Sequence, residues 1–124
     1  MSTKKIRVAV IGATGSVGGA VLDICRRFPE RFEVVALAAK SNEAKLTELA
    51  SLHRARTLCL TEPRTASFKT EGYNCLTGTE ALSLIASDPD IDHIVFASSG
   101  VAAIKALQTA LREDKDVSLA NKES

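Results

Sequence analysis

The stretch Ile6-Arg7-Val8-Ala9-Val10-Ile11-Gly12-Ala13-Thr14-Gly15-Ser16-Val17-Gly18 decides the fold. Its first six residues are apolar but for Arg7 and rich in β-branched side chains, the composition of a parallel strand buried on both faces in mid-sheet. Glycines then turn the chain. Behind them Ala20, Val21, Ile24, Cys25 and Phe28 recur at helical spacing, with Asp23, Arg26 and Arg27 between them, and Pro29 discourages continuation. A strand, a tight turn and a helix therefore follow one another within 30 residues.

Working outward, residues 32–38 read as a second strand, and Leu46, Leu49, Ala50 and His53 mark one stripe of a helix beginning near Asn42. Thr57-Leu58-Cys59-Leu60 reads as a third strand. Residues 61–78, with Pro63, Gly72 and Gly78, are ambiguous apart from a short strand near Asn74-Cys75-Leu76. Thr79 before Leu82, Ile85 and Ala86 suggests a short helix capped by that threonine, ended by the turn Asp88-Pro89-Asp90. The pattern then repeats: a strand over 91–97, a turn Ser98-Ser99-Gly100, a helix with the stripe Val101, Ile104, Leu107, Ala110 and Leu111, and a last strand over 116–120.

Strands alternating with helices at this spacing predict an α/β chain, a Rossmann-like, doubly wound and mainly parallel sheet with helices on both faces. In such sheets ligands bind beyond the carboxyl ends of the strands, at the switch point between the halves. The polar and glycine-rich segments 12–18, 39–42, 97–100 and 121–124 all fall at that edge.

The glycine loop is spaced Gly-x-x-Gly-x-x-Gly. Glycines let backbone approach a pyrophosphate, while the unpaired N–H groups and dipole of the helix N-terminus stabilise its charge. Thr14 and Ser16 add hydroxyl donors; an ordinary glycine-rich turn is the alternative. Sites for NAD usually place an acid at the end of the second strand to hold the adenosine ribose. Here that end reads Ala38-Ala39-Lys40-Ser41-Asn42, one cation and two small polar groups. The missing acid favours NADPH, although Lys40 is equally readable as a solvated lysine. Ser98-Ser99-Gly100 reads either as a border of the nicotinamide half or as a helix cap. His53 and His93 lack partners at a telling spacing and read as structural. In the closing Asn121-Lys122-Glu123-Ser124, Lys122 suits a phosphate or hydroxyl and Asn121 a ribose or amide, against the alternative of a solvated loop.

Composition narrows the classes. With 45% hydrophobic and 25% charged residues over 124 positions, the chain resembles one ordinary globular domain. A net charge of +1 from 16 basic and 15 acidic residues gives no broad basic field, and the absence of Trp leaves little for stacking bases, so nucleic acid is not expected as a partner. Cys25, Cys59 and Cys75, an odd number at irregular spacing, fit neither a disulfide framework nor a zinc site and read as free thiols of a reducing cytoplasm. No run is long enough for a membrane span, and the basic start Met1 to Lys5 leads into a strand, not a signal peptide.

Taken together, the loop Gly12 to Gly18, the segment Ala38 to Asn42 and above all Leu119-Ala120-Asn121-Lys122-Glu123-Ser124 resemble the 1-deoxy-D-xylulose 5-phosphate reductoisomerase family, over essentially the whole chain as its N-terminal domain. The resemblance implies an enzyme that rearranges 1-deoxy-D-xylulose 5-phosphate and reduces the product with NADPH to 2-C-methyl-D-erythritol 4-phosphate for isoprenoid precursors, with a divalent metal, Mg or Mn, in a cytoplasmic homodimer. It implies that Thr14, Gly15, Ser16 and Val17 line the NADPH diphosphate and that Lys40, Ser41 and Asn42 surround the adenosine 2′-phosphate. Asn121 and Glu123 would contact NADPH, and Lys122 the sugar-phosphate substrate. Lys40 stands where the family often has glycine, and its charge suits a phosphate.

The family's acidic metal ligands, its flap and its C-terminal helical domain lie beyond this last motif. Residues 1–124 are therefore expected to be the NADPH-binding domain alone, ending just before the metal-binding catalytic region, with no catalytic or metal-ligating residue and no activity by itself. The glycine loop is also similar to that of aspartate-semialdehyde dehydrogenase and related acyl-phosphate reductases, against which the Leu119 to Ser124 ending argues. A non-catalytic dinucleotide-binding module would use the same loop.

Overall fold

A computed structural model of the chain describes residues 5–63, 71–98 and 101–119, with Val101 described in its backbone only. Six strands, β1 (Ile6–Ile11), β2 (Phe32–Ala39), β3 (Thr57–Leu60), β4 (Asn74–Thr77), β5 (His93–Phe96) and β6 (Asp116–Leu119), form one sheet. Its order is β4-β3-β2-β1-β5-β6, and every pair is parallel. The chain steps outward from β1 to β4, then returns to start β5 on the other side of β1. The switch point lies between β1 and β5.

Side-chain alternation along β1 builds two cores. Val8 and Val10 face α1 (Ser16–Arg27) and α2 (Glu43–His53), packing with Leu22, Leu37, Leu46 and Leu58. Ala9 and Ile11 face α3 (Ala81–Ala86) and α4 (Val101–Arg112), packing with Cys59, Ile85, Ile94 and Ala106. The doubly wound architecture predicted from strand and helix alternation is the one observed.

α2 buries the expected Leu46, Leu49 and Ala50, and α3 the expected Leu82, Ile85 and Ala86, whereas α1 and α4 are rotated in part from their expected stripes. α1 buries Gly18, Leu22 and Cys25, while Ile24 and Phe28 are 52% and 43% exposed. The cause is the approach at Gly18: a Cβ there would meet the Gly12 carbonyl oxygen and lie 2.9 Å from Ala13 Cα, so the glycine turns this face to the loop. Among the described side chains of α4, Ala103, Ala106 and Ala110 are buried, with Ile104 and Leu111 more than half exposed. Small side chains let the helix lie close to the sheet, where Leu107 also packs partly against the core.

The smaller expectations fare unevenly. Asn42 caps α2, its Oδ1 accepting from the Lys45 N–H at 3.1 Å. Thr79 is not the cap of α3; Glu80 occupies that position and no side chain caps the helix. The strand expected over 91–97 contracts to His93–Phe96, with Asp92 N–H donating to the Arg7 carbonyl and Ala97 N–H to the Ile11 carbonyl, each at 2.8 Å, at its two ends. Ala120 falls outside the described residues.

Candidate functional site

The loop between β1 and α1 is built by two tight backbone approaches. Gly12 has φ +92°, a left-handed conformation that L side chains rarely adopt, and a Cβ on it would lie 2.9 Å from both Ala97 C and Ser98 Cβ. Gly18 sits against Gly12 and Ala13, as above. The N–H groups of Gly12 and Ala13 both donate to the Ala38 carbonyl at 2.9 Å, which ties the loop to the end of β2.

Gly15 differs from both. Its φ is −84° and the nearest atom to an added Cβ is the Gly12 carbonyl oxygen at 3.6 Å, ordinary contact. Neither backbone strain nor packing within the chain requires glycine there. Gly15 is the N-cap of α1, no side chain caps that helix, and its first turn carries no acid. The helix therefore presents its unpaired N–H groups and positive dipole end across a residue with no side chain.

Beyond the carboxyl ends of the strands, at the switch point, lies a cavity of about 550 Å³. Gly12, Thr14 and Gly15 line it from the loop, and Lys40 from the end of β2. Ser98 lines it beyond β5. Ser16 and Val17 begin α1, and Ser41 and Asn42 follow Lys40, without being among the lining residues. Ser99, Gly100, Asn121, Lys122 and Glu123 lie outside the described residues.

The structure adds a residue that local spacing does not reveal. Glu62 lines the same cavity, and its carboxylate stands 3.9 Å from the Lys40 ammonium. The segment after β2, which has no acid of its own, therefore has a carboxylate beside it, supplied from beyond β3. The parallel register brings it there: Ala39 pairs with Leu60, Thr61 N–H donates to the Ala39 carbonyl at 3.0 Å, and Glu62 N–H to the Lys40 carbonyl at 2.7 Å.

Other titratable groups lie off this site. His93 shares a 2.7 Å hydrogen bond with Ser118 of the neighbouring strand. Burial, with Arg26 adding to it and Asp23 opposing, holds the His53 imidazole below its ordinary value. Burial pushes the Cys25 thiol up and the Cys59 thiol up to about 12, which leaves both poor nucleophiles. Cys25, Cys59 and Cys75 form no disulfide. Among the described residues no group of three or more His, Cys, Asp or Glu could hold a metal ion, and no helix is long and apolar enough to cross a membrane.

Comparison with known proteins gives a consistent result. The family described as 1-deoxy-D-xylulose 5-phosphate reductoisomerase matches residues 8–124. The reductoisomerase of Methylococcus capsulatus is 38% identical over 125 residues, covering 94% of this chain and 32% of that protein. That of Anaeromyxobacter sp. (strain K) is 39% identical over 122 residues, covering 95% and 31%. Among solved structures, a reductoisomerase in complex with magnesium superposes with a TM-score of 0.88 at 33% identity, over 98% of this chain and 32% of its own. The Zymomonas mobilis enzyme in complex with NADPH superposes with a TM-score of 0.82 at 32% identity, over 98% and 33%. The chain spans about a third of the length of the curated relatives it matches.

Proposed function

The chain belongs to the 1-deoxy-D-xylulose 5-phosphate reductoisomerase family, and we propose that residues 1–124 form that family's NADPH-binding domain. The observation that carries this reading is Gly15, the one loop glycine that the chain's own packing does not demand, placed as N-cap of an uncapped helix at the switch-point cavity. A pyrophosphate there would accept from first-turn N–H groups in the dipole's favourable field. Thr14, Gly15, Ser16 and Val17 would line it.

Lys40, Ser41 and Asn42 would surround the adenosine 2′-phosphate. Asn42 Oδ1 is engaged in capping α2, which leaves its amide NH2 as the donor on offer. Asn121 and Glu123 would complete the cofactor contacts, with Lys122 reaching the sugar phosphate. NADPH, when bound, supplies the hydride.

The whole protein would convert 1-deoxy-D-xylulose 5-phosphate to 2-C-methyl-D-erythritol 4-phosphate as a cytoplasmic homodimer, its Mg or Mn held by carboxylates outside this chain. Complexes of relatives with NADPH, with magnesium and with fosmidomycin support this assignment. An acyl-phosphate reductase or a non-catalytic module is not favoured, since the family match runs to residue 124. Calorimetry on the chain with NADPH and with NADH tests the reading. NADPH binding in preference to NADH is the expected result; no binding, or a preference for NADH, overturns it.

A further inference from the structure

Resting on the NADPH reading, we propose that Glu62 is a specificity-determining residue at the adenosine end of the site: its carboxylate competes with a 2′-phosphate for Lys40 and moderates the preference for phosphorylated cofactor. Lys40 is the one cation in the segment Lys40 to Asn42 expected to surround the 2′-phosphate, and its ammonium already faces Glu62 at 3.9 Å. The placement is imposed by backbone, because the β2–β3 ladder continues past both strands to the 2.7 Å bond from Glu62 N–H to the Lys40 carbonyl. Both side chains are mostly exposed, so the pair exchanges partners easily and contributes little to the fold.

A carboxylate beside the adenosine ribose acts in two opposite ways. It accepts hydrogen bonds from free ribose hydroxyls, as the acid after the second strand does in NAD sites, and it repels a phosphate. Glu62 restores that acid from the neighbouring strand, while Lys40 supplies the attraction. With both present, a 2′-phosphate gains Lys40 only by displacing Glu62.

The test measures the affinity of the chain for 2′,5′-ADP and for 5′-ADP, in wild type, Glu62→Gln, and Glu62→Gln combined with Lys40→Gln. Glu62→Gln is expected to raise the preference for 2′,5′-ADP about threefold to fivefold at low salt. That gain should shrink at high salt, where charges are screened, and vanish in the double variant. Thermal unfolding should be the same for Glu62→Gln and wild type. An unchanged ligand preference in Glu62→Gln overturns the role of Glu62 while leaving the cofactor reading intact. A gain that persists in the double variant overturns the competition for Lys40. Failure of 2′,5′-ADP to bind wild type overturns the cofactor reading and this proposal together.

Discussion

The two ends of the sheet carry hollows of similar size, about 550 Å³ at the carboxyl edge and about 590 Å³ at the amino edge, and only their chemistry tells them apart. At the amino edge Arg7 holds Asp92 through two side-chain hydrogen bonds of 3.1 Å and reaches Asp90 at 3.5 Å, while Arg56 reaches Asp90 at 3.2 Å. Lys115 there donates to the Asp88 and Ile91 carbonyls. These groups lie beside the amino-edge hollow, outside its lining of Lys5, Arg26, Glu33, His53 and Arg54, and tie β1, β3, β5 and the start of β6 together. At the carboxyl edge the cavity is lined by glycine and alanine and by Gly15, the N-cap of a helix with no side-chain cap. Size therefore does not separate the two hollows; a glycine-lined helix N-terminus, the setting that suits an anion, stands only at the carboxyl-edge one.

The sharpest way to break this contrast is within the glycine loop. Gly18→Ala must push its Cβ into the backbone of Gly12 and Ala13, and should cost about 3 kcal/mol or more in urea unfolding. Gly15→Ala meets no such atom, so it should change stability by less than about 1 kcal/mol and yet weaken NADPH at least about tenfold by calorimetry. Equal stability losses in the two variants would mean that Gly15 serves the fold and not a ligand.

The thiols sharpen the comparison by reporting how dry each end is. Cys59, in β3 with Sγ turned to the Gly78 carbonyl, is fully buried, and burial raises its pKa from 9.0 to about 12; Cys25, beside the amino-edge hollow, is also raised by burial. A raised folded value for a thiol means stability that is complete below the unfolded value and lost as pH climbs toward the folded one. Unfolding free energy should therefore fall between pH 9 and about 12, by at most roughly 1.4 kcal/mol for each unit and each such thiol. Cys59→Ala should flatten that slope more than Cys25→Ala in urea titrations at stepped pH. The opposite ranking would place the drier interior at the amino edge.

Much of this was legible in residue order. β1 and β3 fall on the boundaries that their apolar runs define, and the Gly12 to Gly18 turn sits where a glycine-punctuated strand must bend. What escaped was whatever depends on distance in sequence. The exposure of Ile104 and Leu111 follows from how closely α4 packs on the sheet, which helical periodicity does not encode, since Ala103, Ala106 and Ala110 lie on an equally regular stripe. Glu62 was missed because it meets Lys40 only through the pairing register of β2 with β3, 22 residues away in sequence. The roles of Asn121, Lys122 and Glu123 rest on motif resemblance, since no described element positions them.

The smallest effect is expected at the amino edge. Asp92 accepts the Arg7 backbone N–H at 2.9 Å as well as its guanidinium, while its own N–H donates to the Arg7 carbonyl at 2.8 Å. Asp92→Asn keeps an oxygen for the backbone bond but loses the charge facing the guanidinium. The two side chains are partly exposed and solvent screens their pairing, so the melting temperature should drop by only a few degrees. NADPH affinity should stay at the wild-type value, because the ion network and the glycine loop occupy opposite ends of β1. A matching loss of affinity in Asp92→Asn would show that the amino-edge network sets the geometry of the loop through the length of the strand, and the two ends would then have to be treated as one coupled device.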